Sequence, residues 1–221
     1  MTLLRENLKR TVADRWQQNC DALPVLEAFR AAGSRDNRSL ELSARRPVML
    51  DIRGFLHLLA EHQVEFVVVG GLAMIAQGSA YITKDLDICY ARTPTNISAL
   101  SQALATVHPR LRGAPPDLPF KFDAATIQAG LNFTLTTDLG DIDALGEISG
   151  IGTFPQVLAL SEEKDVPDLQ LRVRVLTIDG LIAAKKAAGR RKDRNHLLEL
   201  EELKKIFEAR QEDPGQNRGA P

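Results

Sequence analysis

The chain has few of the residues that stabilise secreted or metal-stapled proteins. Its 221 residues include only two cysteines, Cys20 and Cys89, too few for a disulfide framework or a cysteine-based zinc site. No apolar run approaches the ~18 residues that a membrane helix needs, and the charged N-terminus lacks the apolar core of a signal peptide. The sequence therefore predicts a cytoplasmic protein with no membrane segment.

Positive and negative charges also nearly balance along the chain. The formal net charge is −1, so the whole chain offers no electrostatic case for binding nucleic acid or membranes. A hydrophobic content of 44% beside 26% charged residues is ordinary for a globular protein, and the length allows one domain with a helical appendage.

The hydrophobic pattern divides the chain into three parts. Residues 1–46 are predicted to form a helical N-terminal extension, residues 47–212 the main domain, and residues 213–221 a disordered tail. Within the main domain, periodicity predicts helices at 51–63, 93–106, 178–188 and 192–210, strands at 65–69, 86–90, 131–137, 141–145 and 171–176, and a loop at 108–120.

Two carboxylates stand one residue apart on a predicted strand. Asp85 and Asp87 point to one face, while Leu86 and Ile88 point to the other. Such acids repel each other unless a cation lies between them, and Mg²⁺ prefers oxygen ligands. A pair of this kind also occurs by chance on solvated strands, but here its neighbours are apolar.

A glycine pair precedes these acids at the end of the strand at 65–69. Gly70 and Gly71 allow a phosphate to approach the backbone at the start of a helix. The alternative is a tight strand-to-helix turn without a ligand.

A further pair of acids lies on the predicted hairpin. Asp141 and Asp143 share one face. Phosphoryl transfer with two metals needs a carboxylate near the attacking oxygen. Asp143 is favoured for this role because it lies inside the strand, whereas Asp141 lies beside the turn.

A basic cluster follows the last short helix. Six of the ten residues from Lys185 to Arg194 are Lys or Arg. Lys185 suits a phosphate contact, although a cation in the last helical turn is also favoured by the helix dipole alone. Asp193 is expected to pair with a neighbouring base. The histidines lack metal-ligand spacing and are predicted to be structural or exposed: His57, His62, His108 and His196.

Together these residues resemble the DNA polymerase β-like nucleotidyltransferase superfamily, and most closely its bacterial minimal members of the abortive-infection toxin type. The resemblance covers about residues 51–207 and is carried by five motifs: VVVGGLA at 67–73, TKDLD at 83–87, LGDIDAL at 139–145, VLTIDGLIAAKK at 175–186 and RRKD at 190–193. Tyr81 stands near a position where that group commonly has arginine, and His196 where many members have a second acid.

The resemblance implies an α/β (α+β) fold in which helices flank a small mixed sheet. It also implies transfer of a nucleoside monophosphate from an NTP such as ATP, with two Mg²⁺ ions as cofactors. The implied metal ligands and catalytic residues are Asp85, Asp87 and Asp143, and the implied nucleotide-binding residues are Gly70, Gly71 and Lys185. Acceptors in such relatives are tRNA, protein side chains or small molecules, and some members act with an antitoxin.

Two other interpretations stay open at this point. The departures at Tyr81 and His196 favour a catalytically inactive binding or regulatory protein on the same scaffold. The N-terminal helices and the Lys185–Arg194 cluster favour an RNA-binding protein, whose affinity would fall steeply with salt.

Overall fold

The computed structural model describes residues 2–33, 49–115, 118–191 and 193–212. The helices are α1 (Thr2–Asn7), α2 (Val12–Gly33), α3 (Ile52–Glu61), α4 (Gly70–Ala76), α5 (Pro94–Ala105), α6 (Ala124–Ala129), α7 (Phe154–Ala159), α8 (Ile178–Ala188) and α9 (Asp193–Glu212). The strands are β1 (Phe66–Val69), β2 (Asp85–Tyr90), β3 (Arg110–Leu111), β4 (Asn132–Thr137), β5 (Gly140–Leu145), β6 (Glu147–Ile148), β7 (Gly152–Thr153), β8 (Ser161–Val166) and β9 (Leu171–Leu176).

Seven of these strands form one mixed sheet in the order β3-β4-β5-β2-β1-β9-β8. Strand β2 runs parallel to β5, β1 runs parallel to β9, and the other neighbours are antiparallel. The predicted fold class, a mixed sheet flanked by helices, is confirmed. This order puts the two acid-bearing strands side by side in the middle of the sheet.

Alternation along β2 separates the core from the site. Leu86 and Ile88 are fully buried, whereas Asp85 and Asp87 remain partly exposed on the opposite face. The apolar residues hold the strand in the core, and each fully buried one contributes roughly 1.5–3 kcal/mol. The strand can therefore carry charged side chains on its other face.

The first two helices pack onto the sheet domain. Trp16 on α2 is 3% exposed, and its indole N–H donates to the Leu72 carbonyl at 3.0 Å. Asn19 on the same helix donates to the Thr83 carbonyl and accepts from the Thr83 N–H, both at 2.8 Å. The predicted boundary at residues 46/47 and the predicted disordered tail lie outside the described residues.

The secondary structure predicted from the sequence is wrong at one edge of the sheet, and at the other edge no strand was predicted. Arg110–Leu111 pairs with β4, although residues 108–120 were predicted to form a loop. Strand β8 pairs with β9 over six residues, and its sequence SEEKDV gave no strand signal. An edge strand has one partner and can be polar on its outer side, so its apolar alternation is weak.

Candidate active site

Four carboxylates meet where β2 and β5 run side by side. The parallel register pairs Asp85 with Asp141 and Asp87 with Asp143. Because both strands place residues i and i+2 on one face, these side chains form a compact acidic group. The side chains of Asp85, Asp141 and Asp143 are each between 21% and 24% exposed.

Asp87 is the most strongly perturbed member of this group. Burial, and then the charges of Asp85 and Asp143, raise its pKa to about 7. The Gly71 N–H, 3.4 Å from the Asp87 carboxylate, and the charge of Lys185 act in the opposite direction without cancelling the rise. A cation beside Asp87 would relieve the cost of ionising it.

The glycine pair forms the turn between β1 and α4 and lies against the acids. Gly70 has φ +60°, in the left-handed region that favours glycine, and a Cβ atom there would collide with the Asp87 carboxylate. A Cβ atom at Gly71 would lie 2.6 Å from Thr83 Oγ1. Gly70 therefore leaves bare main chain beside Asp87, and Gly71 leaves room for Thr83.

Thr83 links the N-terminal helices to the acid pair. Its hydroxyl donates to Asp85 Oδ1 at 2.6 Å, while its own backbone is held on both sides by Asn19. Helix α2 therefore helps to fix the position of the Asp85 carboxylate.

Lys185 lies in the site and is already paired. Its ammonium is 3.0 Å from Asp193, which is only 1% exposed, and Arg190 approaches the same carboxylate at 3.4 Å. Burial alone would raise the pKa of Asp193, but the hydrogen bond and charge of Lys185, with the charge of Arg190, hold it below its usual value. The prediction that Asp193 pairs with a neighbouring base is confirmed.

Arg112 is a site residue that the sequence analysis did not identify. Its guanidinium contacts three of the four acids: Asp143 at 2.9 Å, Asp141 at 3.1 Å and Asp85 at 3.5 Å. The residue follows the short strand β3, in the segment that was predicted to be a loop. No local motif signals it, because the contacts cross from one edge of the sheet to its middle.

Tyr81 and His196 contact each other. The rings of Tyr81 and His196 pack edge to face with centroids 4.5 Å apart. His196 is 9% exposed, and its pKa is lowered by burial and then by the charge of Lys185. A substitution at either position therefore removes a packing contact of the other ring.

One cavity of about 480 Å³ joins these features. Arg112, Tyr81 and His196 line it, as does every site residue predicted from the sequence: Gly70, Gly71, Asp85, Asp87, Asp143 and Lys185. Asp141 instead lines a smaller cavity of about 160 Å³ with Lys84. Asp143 therefore shares a cavity with Asp85 and Asp87, and Asp141 does not.

The acids have the oxygen ligands that a divalent cation prefers, but their side chains are not arranged around a common metal position. Their oxygens are the donors that Mg²⁺ prefers, and the space beside Asp87 is kept free by Gly70. Within the described residues, however, no group of three or more His, Cys, Asp or Glu side chains is arranged to hold a metal. Arg112 takes up oxygens of three of the acids instead.

Comparisons with known proteins do not assign the chain to a family. No protein-family model matches the chain, and no curated protein sequence matches it. In the parts of the chain that the structure describes, no helix has the length and apolarity to cross a membrane.

Proposed function

We propose that the chain is a metal-dependent nucleotidyltransferase, which transfers a nucleoside monophosphate from an NTP to an acceptor hydroxyl. The observation that carries the proposal is the pairing of Asp87 with Asp143 at one register position of two parallel strands. They lie in a cavity that also contains the Gly70-Gly71 turn and Lys185. Carboxylates, bare main chain and a cation are the parts that position a metal-bound triphosphate.

The chain's own residues divide the chemistry between them. Asp85, Asp87 and Asp143 would hold two Mg²⁺ ions, which when bound neutralise the phosphates and lower the pKa of the acceptor hydroxyl. Asp143 accepts the proton of that hydroxyl as its oxygen bonds to the α-phosphorus. The bond from the α-phosphorus to its bridging oxygen breaks, and pyrophosphate leaves.

Lys185 and the glycine turn act on the departing phosphates. Lys185 lines the cavity, and Asp193 holds its ammonium in place. A fixed cation offsets the charge that develops on pyrophosphate without reorganising during the reaction. The turn at Gly70 lets the phosphates approach the backbone N–H groups.

Pyrophosphate release tests this proposal directly. Purified protein is incubated with Mg²⁺ and each common NTP, in the presence of cell lysate as the source of acceptor. We expect release by the wild type and its loss in Asp87→Asn, while the matched variant Asp138→Asn keeps it. Asp138 lies in the β4–β5 turn with a side chain 54% exposed. Release by Asp87→Asn at the wild-type rate would rule the proposal out.

The acceptor is identified in the same reaction with labelled NTP. We propose a tRNA 3′ end, a protein side-chain hydroxyl or a small molecule as acceptor, and a toxin role with a cognate antitoxin. Label recovered in nuclease-sensitive, protease-sensitive or low-mass material separates the three acceptors. Growth arrest on expression that depends on Asp87 tests the toxin role.

A second candidate is a catalytically inactive protein that binds nucleotide on the same scaffold. The contacts of Arg112 with Asp85 and Asp143 favour it, since they occupy oxygens that a metal would need. Isothermal titration with NTP, with and without Mg²⁺, distinguishes the two. An inactive binder retains nucleotide affinity but releases no pyrophosphate with any acceptor.

A further inference from the structure

Arg112 makes an unusual set of contacts for a residue at the edge of a sheet. Its Nη2 lies 2.9 Å from Asp143 Oδ1, its Nε 3.1 Å from Asp141 Oδ2, and its Nη1 3.5 Å from Asp85 Oδ2. The guanidinium thus bridges the two strands that carry the acids. Its side chain is 26% exposed, so the contacts are neither fully buried nor freely solvated.

Strand β4 holds the backbone of Arg112 and also contacts its guanidinium. The Arg112 N–H donates to the Thr134 carbonyl at 2.9 Å, and Nη2 also donates to the Leu135 carbonyl at 3.3 Å. The first hydrogen bond holds the backbone of Arg112 on strand β4, and the second ties one end of its guanidinium to the same strand, while the charge reaches the acids of β5 and β2. Because the backbone bond does not involve the guanidinium, an exchange of carboxylate partners leaves the sheet intact.

The three acids that Arg112 contacts do not all line the same cavity. Asp85 and Asp143 line the large cavity, where a substrate-bound ion would lie, but Asp141 lines the smaller cavity instead. A divalent ion competes with Arg112 for oxygens of Asp85 and Asp143 only. Asp141 can keep its ion pair with the guanidinium, whose Nε lies 3.1 Å from Asp141 Oδ2 without forming a hydrogen bond.

We propose that Arg112 is a built-in counter-ion, which holds Asp85 and Asp143 in the cation-free protein and releases them to a divalent ion while it remains on Asp141. The inference rests on the proposed function for the identity of the site. It makes Arg112 a positioning residue that sets the affinity of the free protein for metal. It also predicts that metal and guanidinium exclude each other at the same oxygens.

Metal affinity without nucleotide tests the counter-ion. Binding of Mn²⁺ to metal-free protein is followed by the loss of the free-ion electron paramagnetic resonance signal. We expect R112Q to bind Mn²⁺ with a Kd lower than that of the wild type by on the order of tenfold, the scale of Coulomb repulsion between a guanidinium and a divalent ion about 5 Å apart in water. A purely structural role for Arg112 would give unchanged or weaker binding.

The matched control is R110Q. Arg110 is exposed on β3, two residues away, and makes no ion pair among the described residues. We expect R110Q to keep the wild-type Kd within about twofold, because Arg110 forms no ion pair with the four acids and its exposed charge is screened by solvent. A Kd lowered equally in both variants would reflect net charge and would overturn the inference.

A second variant covers the case in which R112Q does not fold. R112K keeps one positive charge but has no planar fork to bridge three carboxylates, and its Kd is expected between those of the wild type and R112Q. A wild-type Kd in R112K would then overturn the inference, as would failure of any of these proteins to bind Mn²⁺.

Pyrophosphate release from the same samples separates this inference from the proposed function. Release by the wild type, with an unchanged Mn²⁺ affinity in R112Q, refutes the counter-ion alone. A lowered Kd in R112Q, with no release from any NTP, refutes the proposed function alone.

Discussion

Removing the charge of Asp87 should stabilise the fold, and the gain should depend on pH. In the unfolded chain the pKa of an aspartate is about 3.9, whereas burial and the charges of Asp85 and Asp143 raise the pKa of Asp87 to about 7 in the folded protein. Because the folded pKa is higher, the ionised carboxylate destabilises the fold. This cost is absent below about pH 4, grows up to about pH 7, and is constant above that value.

The size of the effect follows from the two pKa values. A difference of about three pH units corresponds to about 4 kcal/mol at 1.36 kcal/mol per unit. The variant Asp87→Asn keeps the shape and loses the charge. We therefore expect its free energy of unfolding to exceed that of the wild type by up to about 4 kcal/mol at about pH 8, and by close to zero at about pH 4.

Urea unfolding in metal-free buffer across this pH range measures the difference. Taking the difference between variant and wild type cancels the titration of groups that do not interact with Asp87. Asp138→Asn serves as the control, with an expected change of at most about 1 kcal/mol, because among the described residues Asp138 is paired only with the exposed His108. A difference that does not vary with pH, or a loss of stability in Asp87→Asn at about pH 8, would refute this account of the acid group. Saturating Mg²⁺ with NTP should shrink the advantage of the variant, since the wild type then gains a bound cation.

Three further variants test other parts of the structure. Asp143→Asn should lower the rate of pyrophosphate release by about 10²–10⁴-fold, as expected for loss of a general base, with NTP affinity measured by titration changed much less. Gly71→Ala should cost about 1–3 kcal/mol of unfolding free energy in urea, because its Cβ would lie 2.6 Å from Thr83 Oγ1; an unchanged midpoint would contradict the packing described here. Trp16→Ala should lower the unfolding free energy by about 3–5 kcal/mol, because a buried side chain is lost. Unfolding should remain a single cooperative transition; a separate step for the N-terminal helices would show that they form an independent unit.

Local pattern was sufficient to predict the elements that carry the acids. Alternation of apolar and acidic residues predicted β2 and β5, and the glycine pair predicted the turn before α4, since each signal lies within a few consecutive residues. That Asp87 faces Asp143 depends on which strands are neighbours. Sheet order is a long-range property, so periodicity alone could not supply it, and the expectation came from the resemblance.

Arg112 and the pairing of Tyr81 with His196 were not predictable from the sequence. Arg112 lies 31 positions from Asp143, after a two-residue strand too short to show alternation. Tyr81 and His196 were noted separately as departures, but the contact between them forms only when α9 packs beside the segment before β2. In both cases the chemistry depends on contacts distant in sequence, for which a single chain carries no local signal.

The N-terminal helices also support the proposed site, although the resemblance does not reach them. Asn19 forms two hydrogen bonds with the backbone of Thr83, and the Thr83 hydroxyl in turn donates to Asp85. Each hydrogen bond contributes roughly 0.5–1.5 kcal/mol, and a buried group left unpaired costs more. If α2 were removed, the buried Thr83 N–H and carbonyl would lose both partners and Asp85 would lose its constraint. The precision of the acid pair therefore depends on residues that precede every recognisable motif in the chain.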